Sequence, residues 1–332
     1  MKNNELEKFL DLNTDHYFKK TKHIILKNKD MQVTYAVFMR RPVLFCPSLA
    51  IKWLRKIEKI RNTKFNIKMC YKEGEWVGAG EPLMFLSGKF SQLVELETTY
   101  LQLIGPASVA AYNAFKMCAD LPNTAFMAMD ARHCAGADMH ELMAYGASVG
   151  SNKAKKELNA KGFIGSSCKS TSYFFKNEHA LGTMPHALIG YAGSTLNAAK
   201  FYHNTFPDEP LTVLVDYFGK EISDTLEVCK YYERLIKEKK LFIRLDTHGG
   251  RYIEGLDMEK SYNILEKFNP NCIRTYRNEQ ELKWLVGAGV SAAAIIYLRK
   301  ILDENSYTNV KIIASSGSVS YTHLRAHETA SD

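Results

Sequence analysis

Two rhythms of apolar and polar positions divide the chain. From about residue 124 onward, short apolar runs recur with longer stretches of helical spacing between them. The runs are Thr124-Ala-Phe-Met-Ala-Met129, Leu211-Thr-Val-Leu-Val215, Leu241-Phe-Ile-Arg-Leu245, Cys272-Ile273 and Val310-Lys-Ile-Ile-Ala314. They are continuous rather than alternating, as strands are when both faces are buried. The intervening spacing predicts helices at about 138–160, 192–203, 220–238, 257–267, 278–286 and 289–304. Apolar strands separated by helices imply parallel βα units. Residues 1–110 follow another rhythm. Between Lys68 and Gly88, β-prone runs are cut by glycine-containing turns, the grammar of hairpins. Helices are predicted on either side, at about 48–62 and 91–104. In the first, Ile51, Leu54, Ile57 and Ile60 recur at helical spacing with basic residues between them, an amphipathic surface helix. Gly105-Pro106 predicts a fresh helix with proline in its first turn.

The ends of the apolar runs are polar. Asp130-Ala-Arg-His133, Asp216-Tyr217, Asp246-Thr-His-Gly-Gly-Arg251 and Ser315-Ser-Gly317 follow four of them. A βα barrel carries its chemistry at the carboxyl ends of its strands, and a doubly wound sheet also places ligands there. With so many different strand ends loaded, the barrel is favoured.

Composition narrows the function classes. The chain has 332 residues, 46% hydrophobic and 24% charged, with a formal net charge of +8. The excess lysine and arginine are spread along helices, which suits an anionic small substrate. A nucleic-acid surface would cluster them with aromatic residues, so no nucleic-acid partner is expected. Cysteines at 46, 70, 118, 134, 168, 229 and 272 form no regular framework. Scattered and odd in number, they read as reduced thiols of a cytoplasmic protein. No apolar run reaches the ~18 residues of a spanning helix, and the first residues lack a signal-peptide core. There is no P-loop, and Met139-His-Glu-Leu-Met-Ala144 lacks the second histidine of a zinc motif, so His140 and Glu141 read as ordinary helix residues.

What remains is a set suited to phosphate and charge. Arg244 and Arg251 supply permanent positive charge. Gly249 and Gly250 let backbone N–H groups approach an anion. Asp216 and Asp246 could orient ribose hydroxyls or hold Mg²⁺. Ser315-Ser316-Gly317 is a second small-residue loop. His186, within Ala180-Leu-Gly-Thr-Met-Pro-His-Ala-Leu-Ile-Gly190, has apolar neighbours, and taken alone it reads as a core histidine.

These stretches together resemble the nicotinate phosphoribosyltransferase family of type II phosphoribosyltransferases. The resemblance is carried by "NTDHYF" (13–18), "ELETTYLQLIG" (95–105), "MDARH" (129–133), "GFIGSSCKS" (162–170), "GTMPHALIG" (182–190), "LVDYFGKEISDTL" (214–226), "IRLDTHGGRY" (243–252) and "KIIASSG" (311–317). They stand in the family's order and cover nearly the whole chain to Gly317. The resemblance implies an α/β fold: an N-terminal α/β sandwich domain over 1–115 and an irregular, incomplete α/β barrel over 116–317. The implied reaction joins nicotinate to phosphoribosyl pyrophosphate (PRPP), giving nicotinate mononucleotide and pyrophosphate. ATP is a co-substrate, hydrolysed through a phosphorylated histidine that matches His186. Mg²⁺ is the implied cofactor, held mainly by PRPP and pyrophosphate, with no protein ligands assigned.

The remaining roles follow by the same matching. Asp216 and Asp246 join His186 as catalytic residues. Tyr17 packs against the pyridine of a neighbouring subunit in a homodimer. Arg132 belongs to the nicotinate and phosphate pocket, and Ser166 and Ser167 face the ligand. Arg244 and Asp246 match the strand that contacts the phosphoribosyl moiety, and Thr247, Gly249, Gly250, Ser315 and Ser316 complete the expected substrate-binding set. An arginine fork on the pyridine carboxylate would favour acid over amide. The chain departs from the family where "FGLRRA" becomes "MDARHC", so that the second arginine is His133, and where "LDSGD" becomes "LDTHGG". The alternative readings are a nicotinamide or quinolinate phosphoribosyltransferase, or an inactive truncated member. The last arises because "YTHLRAHET", within Ser318–Asp332, resembles translated sequencing-adapter sequence. That tail is set aside as non-native, and the native chain is expected to continue beyond about Gly317 with the glycine-rich phosphate strand end the family carries there.

Overall fold

The computed structural model describes residues 3–273 and 279–316. The chain divides into two compact units between Leu181 and Gly182.

The first unit opens with helices Asn3–Asn13 and His16–Lys27. An antiparallel sheet of order β1-β5-β3 follows, from Gln32–Phe38 (β1), Asn66–Met69 (β3) and Pro82–Lys89 (β5). Val43–Leu44 (β2) pairs with Trp76–Val77 (β4). The expected hairpin region is therefore β3 to β5. The Ser48–Arg61 helix buries Ala50, Leu54 and Ile57, as its period requires. These pack with Leu83 and Leu86 of β5 and with Leu6, Leu10, Leu93 and Tyr100 into one core.

One expected break is absent. Gly105-Pro106 does not begin a new helix, because Glu97–Asp120 is a single helix with Pro106 inside it. Proline removes one N–H from the ladder and leaves the carbonyl of Gln102 without that donor. The helix persists because it is buried along its length. Ile104, Ala107, Ser108, Ala111 and Ala114 are all out of solvent, and it packs against the Ala137–Leu158 helix. Small residues allow close approach: a Cβ on Gly150 would lie 2.1 Å from the carbonyl oxygen of Ala111, and one on Gly146 2.3 Å from that of Ala107. Ala125–Ala128 (β6) and Gly162–Ser166 (β7) pair in parallel beside these helices. Strand β7 is not among the predicted strands, because Gly162 and Gly165 interrupt its apolar run.

The second unit is built on a parallel sheet of order β10-β9-β8, from Leu211–Leu214 (β8), Leu241–Leu245 (β9) and Lys311–Ala314 (β10). The strands follow one another without a reversal of order, as in an arc of a barrel rather than a doubly wound sheet. Helices Glu221–Tyr231 and Glu233–Lys237 connect β8 to β9. Met258–Phe268, Glu279–Val286 and Ala292–Glu304 lie between β9 and β10. Asp257 and Ser291 cap two of these, accepting from the N–H groups of Lys260 and Ala294. The core of this unit gathers Val213, Leu214, Ile243, Leu245, Met184 and Ile189. Cys272-Ile273 is not a strand. The N–H of Cys272 donates to the carbonyl of Asn269 in a turn, and the pair packs with Leu265, Leu285 and Ala292 between helices.

Candidate active site

The carboxyl ends of β8, β9 and β10 carry the chemistry of the second unit. Strand β8 runs into Asp216, 8% exposed. The chain segment Gly182–Pro185 leads into the His186–Ala192 helix, which is anchored by fully buried Met184 and Ile189. His186, the first residue of that helix, turns outward with 45% of its side chain exposed. Its Nε2 lies 3.2 and 3.1 Å from the two carboxylate oxygens of Asp216. A carboxylate only accepts, so Nε2 carries the hydrogen and the ring lone pair is on Nδ1. The Tyr217 ring lies 6.3 Å from the imidazole, centroid to centroid. Its hydroxyl sits where Gly190 leaves room, since a Cβ there would approach it to 2.7 Å.

A second pair stands one strand along. Arg244 points from β9 and is 8% exposed. Its Nη2 donates to Asp246 at 2.7 Å, its Nε to the Ser315 hydroxyl at 3.0 Å and its Nη1 to the Thr183 hydroxyl at 2.7 Å. The Ser315 hydroxyl lies 2.7 Å from the other Asp246 oxygen and 3.0 Å from the carbonyl of Leu245. Arg244 thus ties three segments: its own strand, the end of β10, and the segment that leads into His186. An arginine held on three sides, with its charge matched by a nearby buried carboxylate, is a rigid framework for the site.

The loop after Asp246 is similarly occupied. Thr247 is fully buried, and its hydroxyl donates to Glu221 at 2.7 Å. Arg251 pairs with the same glutamate at 2.6 Å and donates to the carbonyl oxygen of Asp216 at 2.8 Å. The Gly250 N–H donates to Nδ1 of His248 at 3.0 Å. Gly249 is exposed and packs near Gly289, whose added Cβ would lie 3.1 Å from the Cα of Gly249. Gly249 also lines a cavity of about 500 Å³ with Tyr252, Met258, Tyr262, Lys283 and Val286. None of His186, Asp216, Arg244 and Asp246 lines it. Ser316 is exposed with a left-handed backbone, φ 70°, and Gly317 lies outside the described residues.

Four expected site residues belong to the first unit. Arg132 is exposed in a short 3-10 turn after β6 and donates from Nε to Nε2 of His133 at 3.2 Å. Ser166, fully buried at the end of β7, shares a 2.6 Å hydrogen bond with Thr171. The Ser167 N–H donates to the carbonyl of Ala128. Tyr17 stands 61% exposed on the His16–Lys27 helix, its ring 4.3 Å from that of Phe18. His140 is buried on the Ala137–Leu158 helix, 3.4 Å from the Thr171 hydroxyl and 4.0 Å from Asp130.

The structure therefore brings His186, Asp216, Arg244, Asp246, Thr247 and Ser315 together at one sheet end. It adds Thr183 and Glu221, which sequence reasoning did not single out, and keeps Tyr217 beside His186. Glu221 had one available signal, an acidic residue in the first turn of a helix following a strand. Among the described residues no three His, Cys, Asp or Glu side chains converge to hold a metal ion. Asp216 and Asp246 offer the hard oxygens Mg²⁺ prefers, but both carboxylates already accept hydrogen bonds.

Residues 15–108 match the family model of the quinolinate phosphoribosyl transferase N-terminal domain. No curated protein matches the chain by sequence. Among solved structures, the nicotinate-nucleotide pyrophosphorylase of Pyrococcus furiosus is similar with a TM-score of 0.67 at 21% identity, over 95% of this chain and 68% of that one. NadC of Streptococcus pyogenes is similar with a TM-score of 0.56 at 12% identity, over 98% and 86%. Human nicotinic acid phosphoribosyltransferase gives 0.55 at 17%, over 92% and 73%. The chain has the nicotinate/quinolinate phosphoribosyltransferase fold of these structures, mixed α/β throughout.

Proposed function

We propose that this chain is a phosphoribosyltransferase acting on a pyridine carboxylate and PRPP, and that the acceptor is nicotinate, with ATP hydrolysis coupled through His186. The observation that carries the reading is the Asp216–His186 pair: a half-exposed imidazole whose Nε2–H is held by a buried carboxylate. That arrangement leaves Nδ1 as a nucleophile. Its lone pair attacks the γ-phosphorus of ATP, the bond to the β-phosphate bridging oxygen breaks, and ADP leaves. Asp216 stabilises the positive charge the ring acquires. Glycosyl transfer itself needs reactants held in line and charge stabilised, since pyrophosphate departs from an oxocarbenium-like ribosyl carbon.

Mg²⁺ would supply charge neutralisation for the departing pyrophosphate, and Asp216 and Asp246 would be the carboxylates to hold it. The exposed backbone of Gly249, Gly250 and Ser316 is assigned to the phosphates, with Ser315 and Thr247 shaping the loops that present it. Arg132 is assigned to the pyridine carboxylate, Ser166 and Ser167 to the same ligand, and Tyr17 to the ring in a second copy of the chain.

A second reading, quinolinate as acceptor, is favoured by the match of residues 15–108 to the quinolinate family. Steady-state assays with nicotinate, nicotinamide and quinolinate, each with and without ATP, separate the two. The expected outcome is turnover of nicotinate, stimulated by ATP. Turnover of quinolinate with release of CO₂ and no response to ATP would replace the first reading with the second.

A further inference from the structure

Glu221 is fully buried, opens the helix that follows β8, and has no part in the reaction as described. Both its carboxylate oxygens are engaged. Oε1 accepts from the Thr247 hydroxyl at 2.7 Å and faces Arg251 Nη2 at 2.6 Å, and Oε2 accepts from the Glu254 N–H at 3.0 Å. Glu254 returns the contact, accepting from the N–H groups of Ile222 at 2.9 Å and Ser223 at 2.7 Å. The loop after β9 and the helix after β8 are thus clasped by two glutamates acting in opposite directions.

Arg251 extends the clasp toward the site. The same Nη2 that meets Glu221 donates to the backbone carbonyl of Asp216 at 2.8 Å, and Nη1 donates to the carbonyl of Tyr252 at 3.1 Å. The Asp216 carbonyl also accepts from the Gly219 N–H at 3.2 Å. Both its lone pairs are taken, so the peptide plane that follows Asp216 is held. The Asp216 carboxylate must present two oxygens almost equally, at 3.2 and 3.1 Å, to one nitrogen of His186. Such a forked contact is lost on a small rotation of the residue that makes it.

We propose that Glu221 is a positioning residue for His186: through Arg251 it fixes the Asp216 peptide, and with it the carboxylate that holds His186 Nε2–H. The proposal rests on the reading of His186 as the nucleophile. It also gives Arg251 a role other than a phosphate fork, since its guanidinium is committed to a buried carboxylate and two backbone carbonyls.

The test uses the full chain labelled with ¹⁵N in its histidine rings. In the wild type His186 is expected as a single Nε2–H tautomer. In Glu221→Gln the ring nitrogen shifts are expected to move toward a tautomer mixture. The ATP-stimulated kcat should fall by up to about 100-fold, the loss typical of an ångström-scale misplacement, with the KM for nicotinate little changed. Arg251→Lys keeps a positive charge beside Glu221 but lacks the planar fork. It gives the same readout should Glu221→Gln fail to fold. Glu254→Gln loosens the clasp without touching the link from Arg251 to Asp216, and should lower the melting temperature while leaving the His186 ring signals in place. Wild-type ring signals and kcat in a folded Glu221→Gln or Arg251→Lys protein would overturn the proposal. If the wild type does not turn over nicotinate with ATP, the ring signals still judge the positioning, so the two failures are distinct.

Discussion

The Nε2 of His186 is held by a carboxylate thirty residues later in the chain, and Nδ1 is the nitrogen to which the proposed chemistry is assigned. At this scale local sequence misleads. The nearby Met184 and Ile189 are buried, yet the imidazole between them is half exposed, because His186 stands at the first position of its helix, where its side chain meets Asp216 at the end of β8 rather than the core. The reactive role proposed for His186 comes from the sequence only through the resemblance of "GTMPHALIG" to a family motif. Asp246 and Arg244 were visible as charged residues just after and within an apolar run. Glu221 and Thr183 were not, because a buried acceptor and a short hydroxyl leave no periodic trace and acquire meaning only from distant partners. Glu254 offers a measurable consequence. Burial pushes its carboxyl up, but hydrogen bonds from the Ser223 hydroxyl and from the Ser223 and Ile222 backbone outweigh that and hold it below the ordinary 4.5. A carboxyl depressed in the folded state adds stability that is fully present above its unfolded value and is lost as pH falls through the folded one. Chemical denaturation between pH 7 and pH 3 should therefore show a loss of stability below about pH 4.5 that is smaller in Glu254→Gln. Equal slopes in the two proteins would remove Glu254 as a contributor.

Among the described residues, the helix pair Glu97–Asp120 and Ala137–Leu158 is the most extensive packing contact between elements. Apolar periodicity placed the Ala137–Leu158 helix at about 138–160, close at both ends, and expected a helix at about 91–104 where Glu97–Asp120 lies. It failed at Gly105-Pro106, where a local breaker is overridden by burial on a neighbouring helix, and at Cys272-Ile273, where two apolar residues fill a gap between helices rather than extend a strand. Strand β7 escaped notice because its glycines, chosen for close approach, dilute the apolar signal. Gly165 is one: a Cβ there would meet the Leu181 side chain at 2.4 Å. The helix pair yields a prediction of its own. Gly150→Ala places a methyl against the Ala111 carbonyl, a rigid neighbour, so the helices must separate. A loss of about 1–3 kcal/mol is expected despite alanine's better helix propensity. Denaturant titration measures it, and an unchanged or raised midpoint would mean the two helices have slack.

For the molecule as a whole, alternating apolar runs and helical stretches implied parallel βα units, and the β10-β9-β8 order agrees. Loaded strand ends implied that the chemistry lies at the carboxyl edge, and in the second unit Asp216, Asp246 and Ser315 stand there together. The α/β class was legible because both signals are repeated many times along the chain, so single errors at β7 or residue 272 did not change the outcome. The expected non-native tail, Ser318–Asp332, lies outside the described residues. None of the described helices is long and apolar enough to cross a membrane. What separates the two functional readings is chemical rather than architectural, since nicotinate and quinolinate enzymes share this fold. The most direct measurement is therefore labelling of the protein with ATP carrying a radioactive γ-phosphate, wild type against His186→Ala. The account predicts an acid-labile, base-stable label on the wild type and none on His186→Ala. Equal labelling of the two proteins, or no label on a wild type that turns over its pyridine substrate, would contradict it.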